Sequence, residues 1–446
     1  MKPQEFTLKN GLRVIFVDTK TFPTLTTLLL VGAGSRYETE KNNGIAHFLE
    51  HMFYKGSKKY PNPKIISQII EGMGGHWNAF TSKDYTGYYI KAATDHFPKI
   101  IDILSDILLN SIFDKSEIEK EKGVIVEEIN MYEDTPQRRI GEIFEGLMYK
   151  GSPLGFDIAG NKDTVTSFDR NTFVNYMNSL YHPNNAVLIV AGGLNSLNMV
   201  GNDQRVVPNK KGDHKGSPLQ NYLQIIEEKF GNWKKDQPAD FIKVNKKQTG
   251  PRILVHNKKT EQAHFCLGFP TFGINDKRRR ILSVLITILG VGASSKLFQE
   301  VREKKGLCYY IGTGAEQYLE TGSIVTQAGI AKDVEKVKIA VKATLIEHEN
   351  MVKGNFSDED IVRAKEMLKG RLLLSMEDSF NIAHFFGNKK LLENKMETPE
   401  EIIKKIISVT KQEIVELAKE IFSKDKLNFA IIGPFEQKDF QDFDKT

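Results

Sequence analysis

Two periodicities alternate along this 446-residue chain. Short apolar runs, such as V-L-I-V-A-G at 187–192 and N-F-A-I-I-G at 428–433, have the length and β-branched content of buried strands. Longer stretches repeat apolar residues every three or four positions and predict amphipathic helices. The two kinds follow one another from end to end, which indicates an α/β or α+β class.

The order of parts repeats at domain scale. Residues 168–192 and 409–433 each read as an amphipathic helix, a polar turn and an apolar strand closed by glycine. Earlier in each half, Thr86-Gly87 and Thr321-Gly322 open a strand. A helix follows (about 96–110 and from about 334), then Phe113 or Phe356, then an acid-rich helix. Two homologous domains are therefore expected: residues 1–231, a linker at 232–250 where Lys, Asp, Pro and Gln displace the apolar period, and residues 251–446. Residues 194–221, rich in Asn, Lys, Gly and Pro, read as a surface loop ahead of a helix at 222–230.

Composition narrows the class. A hydrophobic content of 40% with 27% charged residues is that of a soluble globular protein, and a net charge of +5 gives no reason to expect nucleic acid. The basic run 277–280 reads as the solvated start of a helix, and residues 281–293 are too short an apolar run to span a bilayer. The two cysteines, Cys266 and Cys308, lie in apolar surroundings and read as core thiols in a reducing compartment. The N-terminus has no leader-like pattern, so a cytoplasmic protein is expected, with a processed mature form as the alternative.

The chemistry gathers in H-F-L-E-H at 47–51. Apolar residues at 45, 48, 49 and 52 mark a helix, with Asn43 as its expected cap. His47 and His51 are four apart and share one face, so both imidazoles can reach one zinc, with Glu50 beside them. Such a pattern arises by chance in roughly three chains of this composition in a hundred, so a third ligand is needed. An acidic helix, expected to start at a capping box from Ser116, carries Glu121 and Glu128 seven residues apart on one face. Glu117, Glu119 and Glu127 read as solvated surface.

H-F-L-E-H, followed 77 positions after its second histidine by the last glutamate of V-I-V-E-E at 124–128, resembles the inverted-motif zinc peptidases of the pitrilysin and mitochondrial processing peptidase family. G-S-R-Y-E at 34–38, M-F-Y-K-G-S-K-K-Y-P at 52–61 and N-A-F-T at 78–81 support the resemblance. So does S-S-K-L-F-Q-E-V-R-E-K-K-G-L-C-Y at 294–309, and Val291 departs from it where the family has glycine. The resemblance implies an α+β fold of two homologous domains, each a mostly antiparallel sheet with helices packed on one face, arranged like a clamshell. It implies one zinc per chain held by His47, His51 and Glu128, with Glu50 as general base, while Glu121, on the Glu128 face of its helix, reads as an outer partner that orients the site. It further implies that Arg302 and Tyr309 come from the second domain to hold substrate and stabilise the oxyanion. The strand of Asn78, Ala79, Phe80 and Thr81 would pair with substrate backbone.

The activity expected is endopeptidase cleavage of short unfolded peptides inside a chamber, by a homodimer or a heterodimer with a related subunit. A catalytically silent subunit of the same fold is the alternative. A phosphate-loop reading of G-V-G-A-S-S-K at 290–296 is weaker, because the glycine before lysine is missing.

Overall fold

The computed structural model describes residues 2–194, 218–245 and 247–440. Most of the loop expected at 194–221 lies outside the described residues. Its last four positions are already helical, since the helix runs Pro218–Phe230 and not from Tyr222. Proline with its fixed φ suits a first helical turn.

Eleven strands form two sheets among the described residues. In the first, β1 (Gln4–Thr7), β2 (Arg13–Asp18), β3 (Thr24–Val31), β4 (His76–Thr81), β5 (Thr86–Ala93) and β6 (Ala186–Gly192) lie in the order β1-β2-β6-β3-β5-β4. In the second, β7 (Arg252–Asn257), β8 (Ala263–Phe272), β9 (Cys308–Gln317), β10 (Thr321–Ile330) and β11 (Asn428–Gly433) lie in the order β7-β11-β8-β10-β9. Without β1 the two orders are the same. Each sheet also has one parallel pair, β2 with β6 and β7 with β11, in an otherwise antiparallel ladder. The repeat read from the sequence is thus a repeat of topology, and it leaves β4 and β9 as corresponding edge strands.

Each half packs its own helices on one face of its own sheet, including Phe97–Leu109 in the first half and Val334–Lys353 in the second. The opposite faces are covered by an exchange. Helix Ser379–Glu393, late in the chain, buries Ile382, Ala383 and Phe386 against Ile15, Val17, Leu28, Leu30, Val187 and Ile189 of the first sheet. Helix Pro136–Met148, from the first half, buries Ile140, Ile143, Phe144 and Met148 against Cys266, Ala430 and Ile432 of the second. Strands β6 and β11 are consequently buried along their whole length, which explains their unbroken apolar sequence.

In the basic run at 277–280 Lys277 is exposed, as expected, but the three arginines are ion-paired. Arg279 meets Glu393 through both terminal nitrogens (2.7 and 2.6 Å), Arg280 reaches Glu397 at 3.1 Å, and Arg278 pairs with Asp276 and Glu420. Glu393, Glu397 and Glu420 lie far along the chain, so local spacing could not reveal them. Both cysteines are buried and unpaired, and burial pushes the Cys308 thiol up to about 11. No helix among the described residues is long and apolar enough to cross a membrane.

The exchange makes each half part of the other's core. Phe386→Ala is expected to cost about 3–5 kcal/mol, the range for emptying a buried aromatic site. Denaturant unfolding followed by probes in both halves should shift as one transition. A shift confined to the second half would contradict the exchange.

Candidate metal and catalytic site

The H-F-L-E-H sequence forms the helix Ile45–Phe53, whose Ile45, Phe48, Leu49, Met52 and Phe53 are buried in the first core. Its N-cap is Gly44, at φ +97°, and not Asn43. A Cβ at Gly44 would meet Ala159 O and Gly160 Cα at 2.8 Å, so only glycine fits there. The capping acceptor comes from outside the helix. Glu38, buried, accepts from the amides of Gly44 (2.8 Å) and Ala46 (2.9 Å) and from the Asn43 side chain (2.9 Å). Burial pushes its carboxyl up to about 7, against the pull of these donors. A carboxylate at a helix N-terminus satisfies orphan amides and opposes the helix dipole.

The acidic helix runs Lys115–Glu133 and is capped by Asp114, which accepts from the amides of Ser116 and Glu117. The expected capping box at Ser116 is therefore displaced by a carboxylate two residues earlier. Ile118 and Ile125 face the core while Glu119, Val124 and Glu127 are exposed, which turns Glu121 and Glu128 toward the histidines.

His47 Nε2 lies 3.6 Å and His51 Nε2 3.8 Å from Glu128 Oε2. One ligand atom from each of the three residues falls within 4.8 Å of the other two. A tetrahedral zinc site with bonds of about 2.0–2.1 Å has ligand-to-ligand edges of about 3.3 Å, so a slight contraction closes this triangle on a divalent ion. Two imidazoles and one carboxylate also suit zinc better than magnesium, which prefers oxygen ligands.

The surroundings orient these groups. Glu121 Oε1 stands 2.8 Å from His51 Nδ1, and its other oxygen 2.5 Å from Lys55 Nζ. That leaves His51 Nε2 facing the Glu128 carboxylate. Burial alone would lower the His51 pKa, but the hydrogen bond to Glu121 and the charges of Glu50, Glu121 and Glu128 raise it. His47 has no such partner: its Nδ1 is buried and unbonded, and burial together with His51 lowers its pKa to about 4. Tyr132 donates its hydroxyl to Glu128 Oε1, and Arg138 lies 3.4 Å above the Tyr132 ring. Glu50 Oε2 accepts from Thr81 Oγ1 at 2.5 Å, and burial raises the Glu50 carboxyl although Thr81 and His51 oppose the shift.

His47, His51, Glu128, Glu121, Glu50 and Thr81 are thus brought together. Arg302 and Tyr309 are not joined to them by any hydrogen bond, ion pair or ring contact among the described residues. Arg302 lies over the Phe298 ring and 3.5 Å from Glu303, and Tyr309 is 75% exposed on β9. A cavity of about 700 Å³ is lined by residues of both halves, including Arg138, Glu142, Val291, Tyr310 and Gln327. Val291 has extended backbone, and the left-handed turn falls on Gly292 (φ +84°), so the departure at Val291 carries no strain. Lys296 pairs with Asp360 at 2.6 Å and is not presented to a phosphate. Asn78, Ala79, Phe80 and Thr81 lie on edge strand β4, where Asn78 Oδ1 accepts from the Ala79 amide at 2.9 Å.

Sequence reasoning missed Tyr132, Lys55 and Glu38. Tyr132 follows Glu128 by the four-residue step that marks helical neighbours, whereas Lys55 lies past the end of the His51 helix and meets Glu121 from another segment. Glu38 gives no such signal, because its partners are amides reached across a turn.

The family model described as insulinase (peptidase family M16) matches residues 13–162, and that described as peptidase M16 inactive domain matches residues 216–368. Among curated relatives, the uncharacterized zinc protease YmxG of Bacillus subtilis is 32% identical over 432 residues, 97% of this chain and 98% of that one. An uncharacterized zinc protease of Rickettsia felis is 33% identical over 434 residues, with the same coverage. Two crystal structures share the fold, each with a TM-score of 0.85. A protease from Helicobacter pylori is 23% identical and covers 97% of this chain and 99% of its own. A peptidase M16 inactive domain from Pseudomonas fluorescens is 16% identical and covers 98% of each.

Glu121→Gln keeps an acceptor for His51 but deletes the charge. Apparent zinc affinity at pH 8, measured by competition with a chelating dye, is expected to fall about 10–100-fold. Because that charge raises the His51 pKa, its loss lowers it, and proton competition for zinc should begin at lower pH than in the unaltered chain. Unchanged affinity and an unchanged pH profile would remove Glu121 from the supporting role.

Proposed function

The chain belongs to the insulinase (M16) family of peptidases, and on that premise we propose that it is a zinc-dependent endopeptidase acting on short unfolded peptides. The observation that carries the proposal is the convergence of His47, His51 and Glu128 from two separate helices, with the Glu50 carboxylate held beside them by Thr81. Zinc is the cofactor, one ion per chain, with those three side chains as protein ligands and a position left open for reaction. When bound it supplies the Lewis acid that polarises the scissile carbonyl and the attacking water.

The remaining steps belong to the chain's own groups. Glu50 takes the proton from the attacking water and passes it to the leaving amine. A carboxyl raised by burial is a stronger base than an exposed one, and the Thr81 hydroxyl fixes which oxygen is free to work. Tyr132 holds Glu128 and Glu121 holds His51, so both ligands are oriented before the contraction that metal binding requires.

Substrate binds by adding a strand to β4, which has β5 on one side only. The Asn78 side chain occupies the Ala79 amide until an incoming carbonyl displaces it. Recognition through the backbone favours extended, unfolded segments and is tolerant of sequence. Arg302, ahead of β9, and Tyr309, on it, are assigned to holding substrate and stabilising the oxyanion. On this reading residues 1–231 form the metal-holding domain, 232–250 the linker and 251–446 the substrate-holding domain. A second copy or a related chain completes a chamber that shields the two sheet edges. Two buried, unpaired cysteines accord with a reducing cytoplasmic setting. A silent subunit would lack a ligand or the base, and all four residues are present.

The test is hydrolysis of a quenched fluorescent peptide. The unaltered protein should be active, silenced by a chelator and restored by zinc. Glu50→Gln should keep its zinc and lose about 10²–10⁴ in kcat, the usual contribution of a positioned base. A zinc-free, inactive unaltered protein would instead favour the silent subunit.

A further inference from the structure

The segment 34–38 joins three parts of the molecule. Its backbone is stitched to the turn between β4 and β5: the Ser35 amide donates to Ser82 O (3.2 Å) and the Arg36 amide to Lys83 O (3.1 Å). At its far end Glu38 caps the helix that carries His47, Glu50 and His51. Between them the Arg36 side chain, 1% exposed, reaches into the second half. Its Nη1 pairs with Asp84 of the β4–β5 turn. Its Nη2 donates to both oxygens of Glu320, at 2.6 Å each, in the turn between β9 and β10. Phe241 covers the guanidinium face at 3.6 Å.

A second contact fastens the same two turns. Lys83 Nζ lies 3.2 Å from Glu145 Oε2, and Glu145 Oε1 accepts from Tyr318 Oη at 2.5 Å. The tips of the two edge-strand hairpins are therefore tied across the molecule. Thr81, whose hydroxyl holds Glu50, immediately precedes the β4–β5 turn.

We propose that Glu320 is a positioning residue for the peptidase reaction: from the second half, through Arg36 and Asp84, it sets the β4–β5 turn and so the Thr81 hydroxyl that aims Glu50. The path is Glu320 carboxylate, Arg36 guanidinium, Asp84 carboxylate, the turn at 82–85, Thr81 Oγ1 and Glu50 Oε2. The physical basis is that one buried guanidinium is shared by two carboxylates from opposite halves. Water does not screen it, and withdrawing either acid leaves the other to redirect the cation. The docking of the second half is thereby felt at the base and not only at a substrate surface. The inference rests on Glu50 being the base.

The experiment is a double-variant cycle on peptide hydrolysis with zinc-loaded full-length protein, using Glu320→Gln, Thr81→Val and the pair together. Glu320→Gln should retain zinc and a KM within about twofold while kcat falls about ten- to a hundredfold, the scale of a small misalignment. Thr81→Val should lower kcat similarly, and the pair should be no worse than Thr81→Val alone, because both break one path. If Glu320→Gln does not fold, Glu320→Asp keeps the charge while shortening the reach, and the same non-additivity is expected. Multiplicative losses in the pair, or an effect confined to KM or zinc content, would overturn the proposal. Full turnover by Glu50→Gln would defeat the base assignment itself, whereas multiplicative losses beside an inactive Glu50→Gln defeat only the path from Glu320.

Discussion

Two imidazoles and a carboxylate meet at one point only if the helices bearing them are held at a fixed crossing, and most of the first half serves that constraint. Helix Ile45–Phe53 is fixed along its apolar face by the core and at its N-terminus by Glu38 and Gly44. Helix Lys115–Glu133 is fixed by Ile118 and Ile125 and by the Asp114 cap. The polar groups left between them are desolvated, so each needs a partner: His51 has Glu121, Glu128 has Tyr132 and Glu50 has Thr81. His47 Nδ1 is the exception, buried without a partner. A cation among these ligands would offset the crowding of Glu50, Glu121 and Glu128 around two imidazoles.

The second half repeats the first in strand order but carries no comparable cluster among the described residues. Its contribution is made at the junction. It sends helix Ser379–Glu393 beneath the first sheet and receives Pro136–Met148 beneath its own, and it presents Glu320 to a buried arginine. An exchanged helix ties stability to docking, and the Arg36 pairings tie the two hairpin tips. Edge strand β9, through Tyr310, lines the cavity that Arg138 of the first half also lines.

Much of this was legible in the sequence because the signals were local or periodic. The four-residue spacing of His47 and His51 and the seven-residue spacing of Glu121 and Glu128 each define a helix face. The repeated order of strand, helix and acid-rich helix announced two related sheets. What sequence hid were partners from distant segments. Asn43 looked like a cap because asparagine caps helices, yet its side chain supports Glu38, which does the capping. Arg279 and Arg280 looked solvated because Glu393 and Glu397 are over a hundred residues away. The helix exchange could not be read from the sequence, since the apolar faces of 136–148 and 379–393 do not say which sheet they cover.

The central claim is the identity of the three protein ligands, and X-ray absorption at the zinc edge of the metal-loaded protein reads them directly. The account predicts a shell of nitrogen and oxygen at about 2.0–2.2 Å with the multiple scattering of two imidazoles. A sulfur neighbour at about 2.3 Å, or the signature of fewer than two imidazoles, would contradict it.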